Sequence, residues 1–166
     1  MKNSKIFLMF LLFSNIILSQ EYELLNSISC KTTYLFKDFE SLDKKVLSIS
    51  FFKENWSFVP TDKSPNIDLF LKNFDLSSLS SSQPSAIDFK ALNKNYIKVA
   101  NVDVHFKQHS SYSVFSKPVF NLDKNWALLY RHNVFSNDVG NTGDIYIYRK
   151  VNDKWTLYHT INFWIS

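Results

Sequence analysis

The sequence predicts an α+β fold in which amino-terminal helices pack on a mostly antiparallel β-sheet that ends in a carboxy-terminal meander. Three observations carry this reading. Apolar residues before about position 92 recur mainly at helical spacing, whereas from Tyr96 onward successive segments alternate as strands do. Aromatic residues make up 17% of the chain, enough to build a core although the single cysteine can form no internal disulfide. The two glycines, Gly140 and Gly143, stand together in SNDVGNTGDIYIY, between two strand patterns where the chain has to reverse.

The opening stretch MKNSKIFLMFLLFSNIILSQ places Lys2 and Lys5 before an apolar run from Ile6 to Phe13, continued by Ile16 to Leu18 and closed by Ser19 and Gln20. This three-part form predicts a secretory signal peptide over 1–19. The run of about 13 residues falls short of the roughly 20 that span a bilayer. Ile17, where a smaller residue is usual before a cleavage site, leaves an uncleaved anchor as the alternative. The mature chain is then one α+β domain over 20–166, secreted or periplasmic, with membrane contact only through the signal segment. Without Lys2 and Lys5 it has 17 basic against 15 acidic residues and no dense cationic run, which argues against a nucleic-acid partner.

Apolar residues Tyr22, Leu25, Ile28, Leu35, Phe36 and Phe39 predict a helix over Glu21–Phe39, broken near Thr32 and Thr33, whose branched side chains disfavour it. VLSISFF (Val46–Phe52) alternates with a period of two and predicts a strand, followed by an extended piece over Asn55–Val59. Ser64 and Pro65 form a helix start, predicting a helix over Pro65–Phe74. LSSLSSSQP (Leu76–Pro84) is a serine-rich connector, and Ser85 with Asp88 matches a capping box ahead of a short helix to Leu92. Strands are predicted over Tyr96–Ala100, Val102–Lys107, Tyr112–Phe120, Trp126–Phe135, Ile145–Val151 and Trp155–Ile165.

In the last hairpin, Ile145, Ile147 and Val151 share one parity with Trp155, Leu157, Ile161, Phe163 and Ile165. Those sets face each other only if the connection has an odd number of residues, which predicts a three-residue loop Asn152–Lys154 with Asp153 left-handed. The Gly140–Gly143 loop reads as a hairpin connection. It leads into a strand pattern, whereas a phosphate cradle opens a helix, and it lacks the closing acid of a calcium loop.

The segments SKPVFNLDKNWALLY and IYIYRKVNDKWTLYHTINFWIS carry Ser116, Pro118 to Phe120, Asp123, Lys124, Ala127 to Tyr130, Asn152, Lys154, Trp155 and the terminal Trp164, Ile165, Ser166. In these residues, roughly the last third, the chain resembles an uncharacterised family of small secreted bacterial proteins common in the Bacteroidetes. The resemblance implies the fold and secretion and transfers no catalytic residue. Members often carry cysteines and more glycine in the loop held here by VFSNDVGNTGD, and a glycine where Asp153 stands.

Signatures of chemistry are sparse. His105 and His109, placed on a strand, would lie about 13 Å apart, too far to chelate. His132 and His159 fall on apolar faces, and Cys30 sits in the predicted first helix with no histidine to activate it. Ser41 with Lys44 and Ser50 with Lys53 match S-x-x-K, the serine and lysine spacing of penicillin-binding enzymes, but the companion S-D-N and K-T-G elements are missing. Asn55-Trp56-Ser57 is a glycosylation sequon that matters only in a eukaryotic secretory route. No cofactor is implied. Tyr146, Tyr148, Tyr158 and Trp164 share a parity in the last hairpin and form the candidate binding face, suited to an envelope protein or glycan because each ring couples a rigid contact to a polar tip. The competing expectation is that the helices cover this face. A binding module without enzymatic activity is favoured, the alternative being a hydrolase whose site assembles only in three dimensions.

Overall fold

A computed structural model describes residues 20–28, 31–42, 48–56, 65–78, 84–136 and 141–165. The signal segment, Cys30, Lys44, Ser57, Ser64 and Gly140 lie outside the described residues, as do the side chains of Phe163, Trp164 and Ile165.

The α+β fold is realised as a mixed sheet with helices on both faces. Helix α1 (20–28) leads to strands β1 (Thr33–Phe36) and β2 (Asp38–Phe39), then helices α2 (Ile49–Asn55) and α3 (Ile67–Asn73). Short β3 (Ser85–Ala86) precedes β4 (Tyr96–Val99), the one-turn helix α4 (Val102–Phe106), β5 (Ser111–Phe115) and β6 (Val119–Phe120). The meander β7 (Trp126–Phe135), β8 (Asn141–Val151) and β9 (Lys154–Ile165) completes the chain. The main sheet runs β4-β1-β5-β7-β8-β9, with β6 also pairing β7, while β2 and β3 form a small separate ladder. From β5 onward the pairing is antiparallel; β1 is parallel to both β4 and β5.

That parallel arrangement overturns the strand expected over Val102–Lys107. Because β4 and β5 run the same way on either side of β1, the segment between them has to travel back along the sheet. It does so through α4, where Asn101 caps the turn by accepting a hydrogen bond from the Val104 amide at 3.0 Å. The expected Val46–Phe52 strand is also corrected. Ser48 accepts from the Phe51 amide at 3.1 Å and starts α2, which leaves Ile49 half-exposed and Phe52 fully buried. Alternation in SISFF was misleading because Phe52 and Trp56, four apart, supply the helical stripe that meets Phe70. Asn55, expected in an extended piece, ends this helix.

Smaller differences follow the same logic. The described part of the first helix spans 20–28, and Leu35, Phe36 and Phe39 belong not to it but to β1 and β2. α3 is capped by Asn66, whose Oδ1 accepts from the Leu69 amide at 3.0 Å, so the helix begins at Ile67 and not at Pro65. Leu76–Ser78 form a single 3₁₀ turn. Ser85 pairs with Phe39 and Asp88 accepts from the Lys90 amide in a local turn, so the expected capping box and helix are absent there. The Tyr112–Phe120 strand divides into β5 and β6 around Ser116, whose Oγ accepts from the Tyr130 amide at 3.0 Å.

Each face of the sheet builds its own core. Even positions of β7 (Trp126, Leu128, Tyr130) and Ile145, Ile147 and Ile161 pack under α2 and α3, where Phe70 is ringed by Phe52, Phe74 and Trp126 at centroid distances of 5.2, 5.4 and 6.0 Å. Odd positions Ala127 and Leu129 pack with Tyr148 and Trp155 under Tyr22, Leu24 and Leu25 of α1. Polar contacts fix α1 in place. Tyr96 donates its hydroxyl to the Leu25 carbonyl at 2.6 Å, the Asp88 amide donates to the Tyr22 hydroxyl at 2.8 Å, and Lys117 and Lys150 pair with Glu21 and Glu23 at 3.1 and 3.0 Å.

Candidate functional site

The last hairpin decides which side chains share a face, and its parity differs from the expected one. Val151 pairs with Lys154 across a two-residue turn, Asn152 and Asp153, with φ of 48° and 58°. Two left-handed residues are what a two-residue type I′ hairpin requires. Asp153 is left-handed as expected, but the loop is even. A register shift after Ile147/Tyr148 then inserts an extra residue in β9, so that Tyr148 faces Leu157 while Ile147 faces His159. Trp155 and Leu157 therefore lie on the α1 side with Tyr146 and Tyr148, and Leu157 is half-exposed, not buried beside Ile147.

The four candidate binding residues thus do not form one surface. Tyr146 and Tyr148 stack at 6.3 Å on the α1 side, with Tyr148 buried in the core beneath α1 and Tyr146 half-buried at its border. Tyr158 lies on the opposite face against Trp126 at 4.8 Å, and its hydroxyl accepts from the Asn66 amide and donates to the Asn66 carbonyl at 2.8 and 2.9 Å. Trp164 stands opposite Thr142 in the ladder. Gly143 does not turn the chain: it is buried within β8 between His132 and Phe163, and no described glycine has positive φ.

Beyond Tyr146 the α1-side positions become polar. Ser113, Arg131, Asn133, Thr142, Asp144 and Asn162 continue the face over four neighbouring strands. Arg131 Nε donates to Ser113 Oγ at 3.1 Å and to Asn133 Oδ1 at 2.9 Å; Asn133 Nδ2 donates to Thr142 Oγ1 at 3.2 Å. Tyr146 donates to Asp144 Oδ2 at 3.1 Å, and Asn162 Nδ2 donates to Asp144 Oδ1. Burial pushes the Tyr146 hydroxyl above its ordinary 10.0, helped by the Asp144 charge and opposed by Arg131. It stays a neutral donor at physiological pH.

Two adjoining cavities meet at Arg131 and Thr33. One, about 230 Å³, is walled by Ile28, Phe115, Leu129, Tyr146, Tyr148 and Leu157. The other, about 310 Å³, is walled by Ser111, Ser113, Asn133 and Phe135 among others. Arg131 is the one charged residue lining either, among the described residues. A wider depression of about 490 Å³ at the Asn152 turn is bordered by Asp123, Asp153, Lys124 and Lys150, charges of both signs that cancel. Sequence reasoning missed Arg131, Asn133 and Asp144. The available signal was the change along one parity of β7 from Ala127 and Leu129 to Arg131 and Asn133.

The histidines are placed differently than the strand reading required. On α4 and the turn after it, His105 and His109 bring their rings to 4.8 Å, with Tyr34 against both at 4.9 and 4.1 Å. His105 Nε2 lies 2.9 Å from the Ser111 carbonyl. His132 Nδ1 is 3.6 Å from Glu40, whose carboxyl burial raises above its ordinary value against the pull of that histidine. His159 sits against Trp56 at 4.2 Å, and burial lowers its pKa. Among the described residues no three His, Cys, Asp or Glu side chains group to hold a metal, and no hydrogen bond joins a histidine to a side-chain hydroxyl. Ser50 and Lys53 lie on α2, not on a strand, and Ser50 Oγ is 3.0 Å from Ser48 Oγ.

Among the described residues no helix is long and apolar enough to cross a membrane. No family pattern, curated protein or solved structure matches the chain.

Proposed function

We propose that the protein is a secreted or periplasmic binding module that holds a ligand without transforming it, in the groove between the carboxy-terminal end of α1 and the polar half of the sheet. The amino-terminal signal pattern and the resemblance to small secreted Bacteroidetes proteins support the location. The observation that carries the binding role is the meeting of an apolar and a polar cavity at Arg131, the one charged lining residue among those described. Sites of this kind are concave, mostly apolar and oriented by a few polar groups. Of the aromatic residues singled out in the sequence, Tyr146 and Tyr148 line this groove.

The test is a nitrogen-15 NMR titration with short peptides, oligosaccharides and monocarboxylic acids. A binder should move the backbone amides of Thr33, Ser113, Arg131, Asn133 and Tyr146 and be recovered unaltered. Shifts confined to other regions remove the groove from the reading, and a cleaved ligand replaces it with the hydrolase alternative.

A further inference from the structure

Resting on that groove being a binding site, we infer that its ligand is the carboxy-terminal end of a peptide whose last residue is apolar. Charge comes first. Arg131 brings one positive charge to a lining with no other described charge, which matches one carboxylate; a doubly charged phosphate would call for a second cation. Asp144 stands opposite Arg131 in the ladder on the same face, but among the described residues the two form no ion pair; its oxygens accept from Tyr146 and Asn162, and it borders neither cavity.

Orientation follows. With Nε held by Ser113 and Asn133 and the Tyr146 hydroxyl also beside the group, the guanidinium cannot swing freely; a planar guanidinium held in one orientation is what a carboxylate can meet with two parallel hydrogen bonds.

Shape selects among carboxylates. The apolar cavity, with Ile28, Phe115, Leu129 and Leu157 in its wall, holds about 230 Å³, room for one leucine- or phenylalanine-sized side chain. The polar cavity on the other side of Arg131 is lined by Ser111, Ser113 and Asn133; Ser113 already donates to Asn133 Oδ1 at 3.0 Å and Asn133 Nδ2 to Thr142, which leaves the Ser111 hydroxyl and the second amide hydrogen of Asn133 for a peptide backbone. A group that sends a carboxylate to the centre, an apolar arm to one side and an amide chain to the other is the α-carbon of a terminal amino acid. A fatty acid has only the apolar arm beside its carboxylate and would leave the polar cavity unused. Capture of a terminal carboxylate is a recurring mode of peptide recognition.

The experiment compares acetyl-Gly-Gly-Leu, its carboxy-terminal amide and octanoate by calorimetry and by the same NMR titration. The peptide acid should bind with shifts at Arg131 and Ser113, while the amide and Arg131→Gln each weaken binding by about tenfold or more, as loss of a charge-assisted pair does. Leu157→Glu is the second variant. Its site is half-exposed, so the fold should tolerate it, and a carboxylate at the mouth of the apolar cavity should repel the ligand by a similar factor. Equal affinity for acid and amide, with shifts still in the groove, overturns this inference and leaves the binding role standing. Octanoate binding as tightly as the peptide overturns it in favour of a free monocarboxylic acid. Failure of all three to move the groove amides, with Leu157→Glu folded and indistinguishable from the parent, removes the peptide.

Discussion

Replacing Phe52 and Ile49 one at a time separates the helix found at this segment from the strand that its alternation suggested. In a strand, Ile49 would share the inward face with Leu47 and Phe51, and Phe52 would point away. In the structure Phe52 is 0% exposed, with ring centroids 5.2 Å from Phe70 and 5.8 Å from Phe51, while Ile49 is 51% exposed. Phe52→Ala removes a fully buried ring from a close-packed aromatic cluster and should cost about 3–5 kcal/mol, the transfer loss plus a cavity that Phe70 cannot refill. Ile49→Ala removes three carbons that are half in water. At about 0.8 kcal/mol per buried carbon, halved for exposure and reduced by the better helix propensity of alanine, the cost is about 1 kcal/mol or less. Urea unfolding followed by tryptophan fluorescence measures both, and thermal midpoints should fall by about 10 °C for the first and only about 2 °C for the second. Similar losses at the two sites, or a larger one at Ile49, would refute the packing of α2 on the sheet and the assignment of Phe52 to the core.

Two further tests probe the hairpin and the α1 anchor. Asp153→Gly should raise stability by about 0.5–1 kcal/mol in urea unfolding, because glycine relieves the left-handed backbone in the Asn152-Asp153 turn; destabilisation would mean the turn is not of the two-residue kind. For Glu21, burial holds the carboxyl above its ordinary 4.5 in the folded chain, outweighing the nearby Lys117. A raised acid favours the protonated folded state, so its contribution is largest below the unfolded value and is lost as pH rises through the folded one. Glu21→Gln does not titrate, and its stability relative to the parent should therefore increase from pH 4.5 upward; a relative decrease over that window would show that Lys117 outweighs burial.

The meander was legible because strands β7 to β9 are long, their alternation is sustained, and antiparallel neighbours need only short connections. Trp126–Phe135 was read at its observed bounds, and Ile145–Val151 and Trp155–Ile165 lie inside the observed strands. Short segments were less so. SISFF and VDVHF alternate over too few residues to separate a strand from one or two helical turns, and in both a side-chain cap, Ser48 or Asn101, settled the matter. The site was legible only in part. Tyr146 and Tyr148 were singled out by parity, but the two-residue turn put Tyr158 on the opposite face and brought Trp155 and Leu157 across, and the extra residue in β9 then returned Ile161 to the side of Ile145.

Local chemistry in the sequence therefore determined the α+β class, the amino-terminal helix and the antiparallel ribbons, since propensity, capping and alternation act over a few residues. Tertiary structure alone decided that β4 and β5 flank β1 in parallel, that α1 packs over the Ala127, Leu129 and Tyr148 part of the sheet, and that Arg131 lines a cavity together with Ile28 of α1. Those outcomes depend on which distant surfaces bury each other, and burial between segments far apart in sequence leaves no periodic mark within either one.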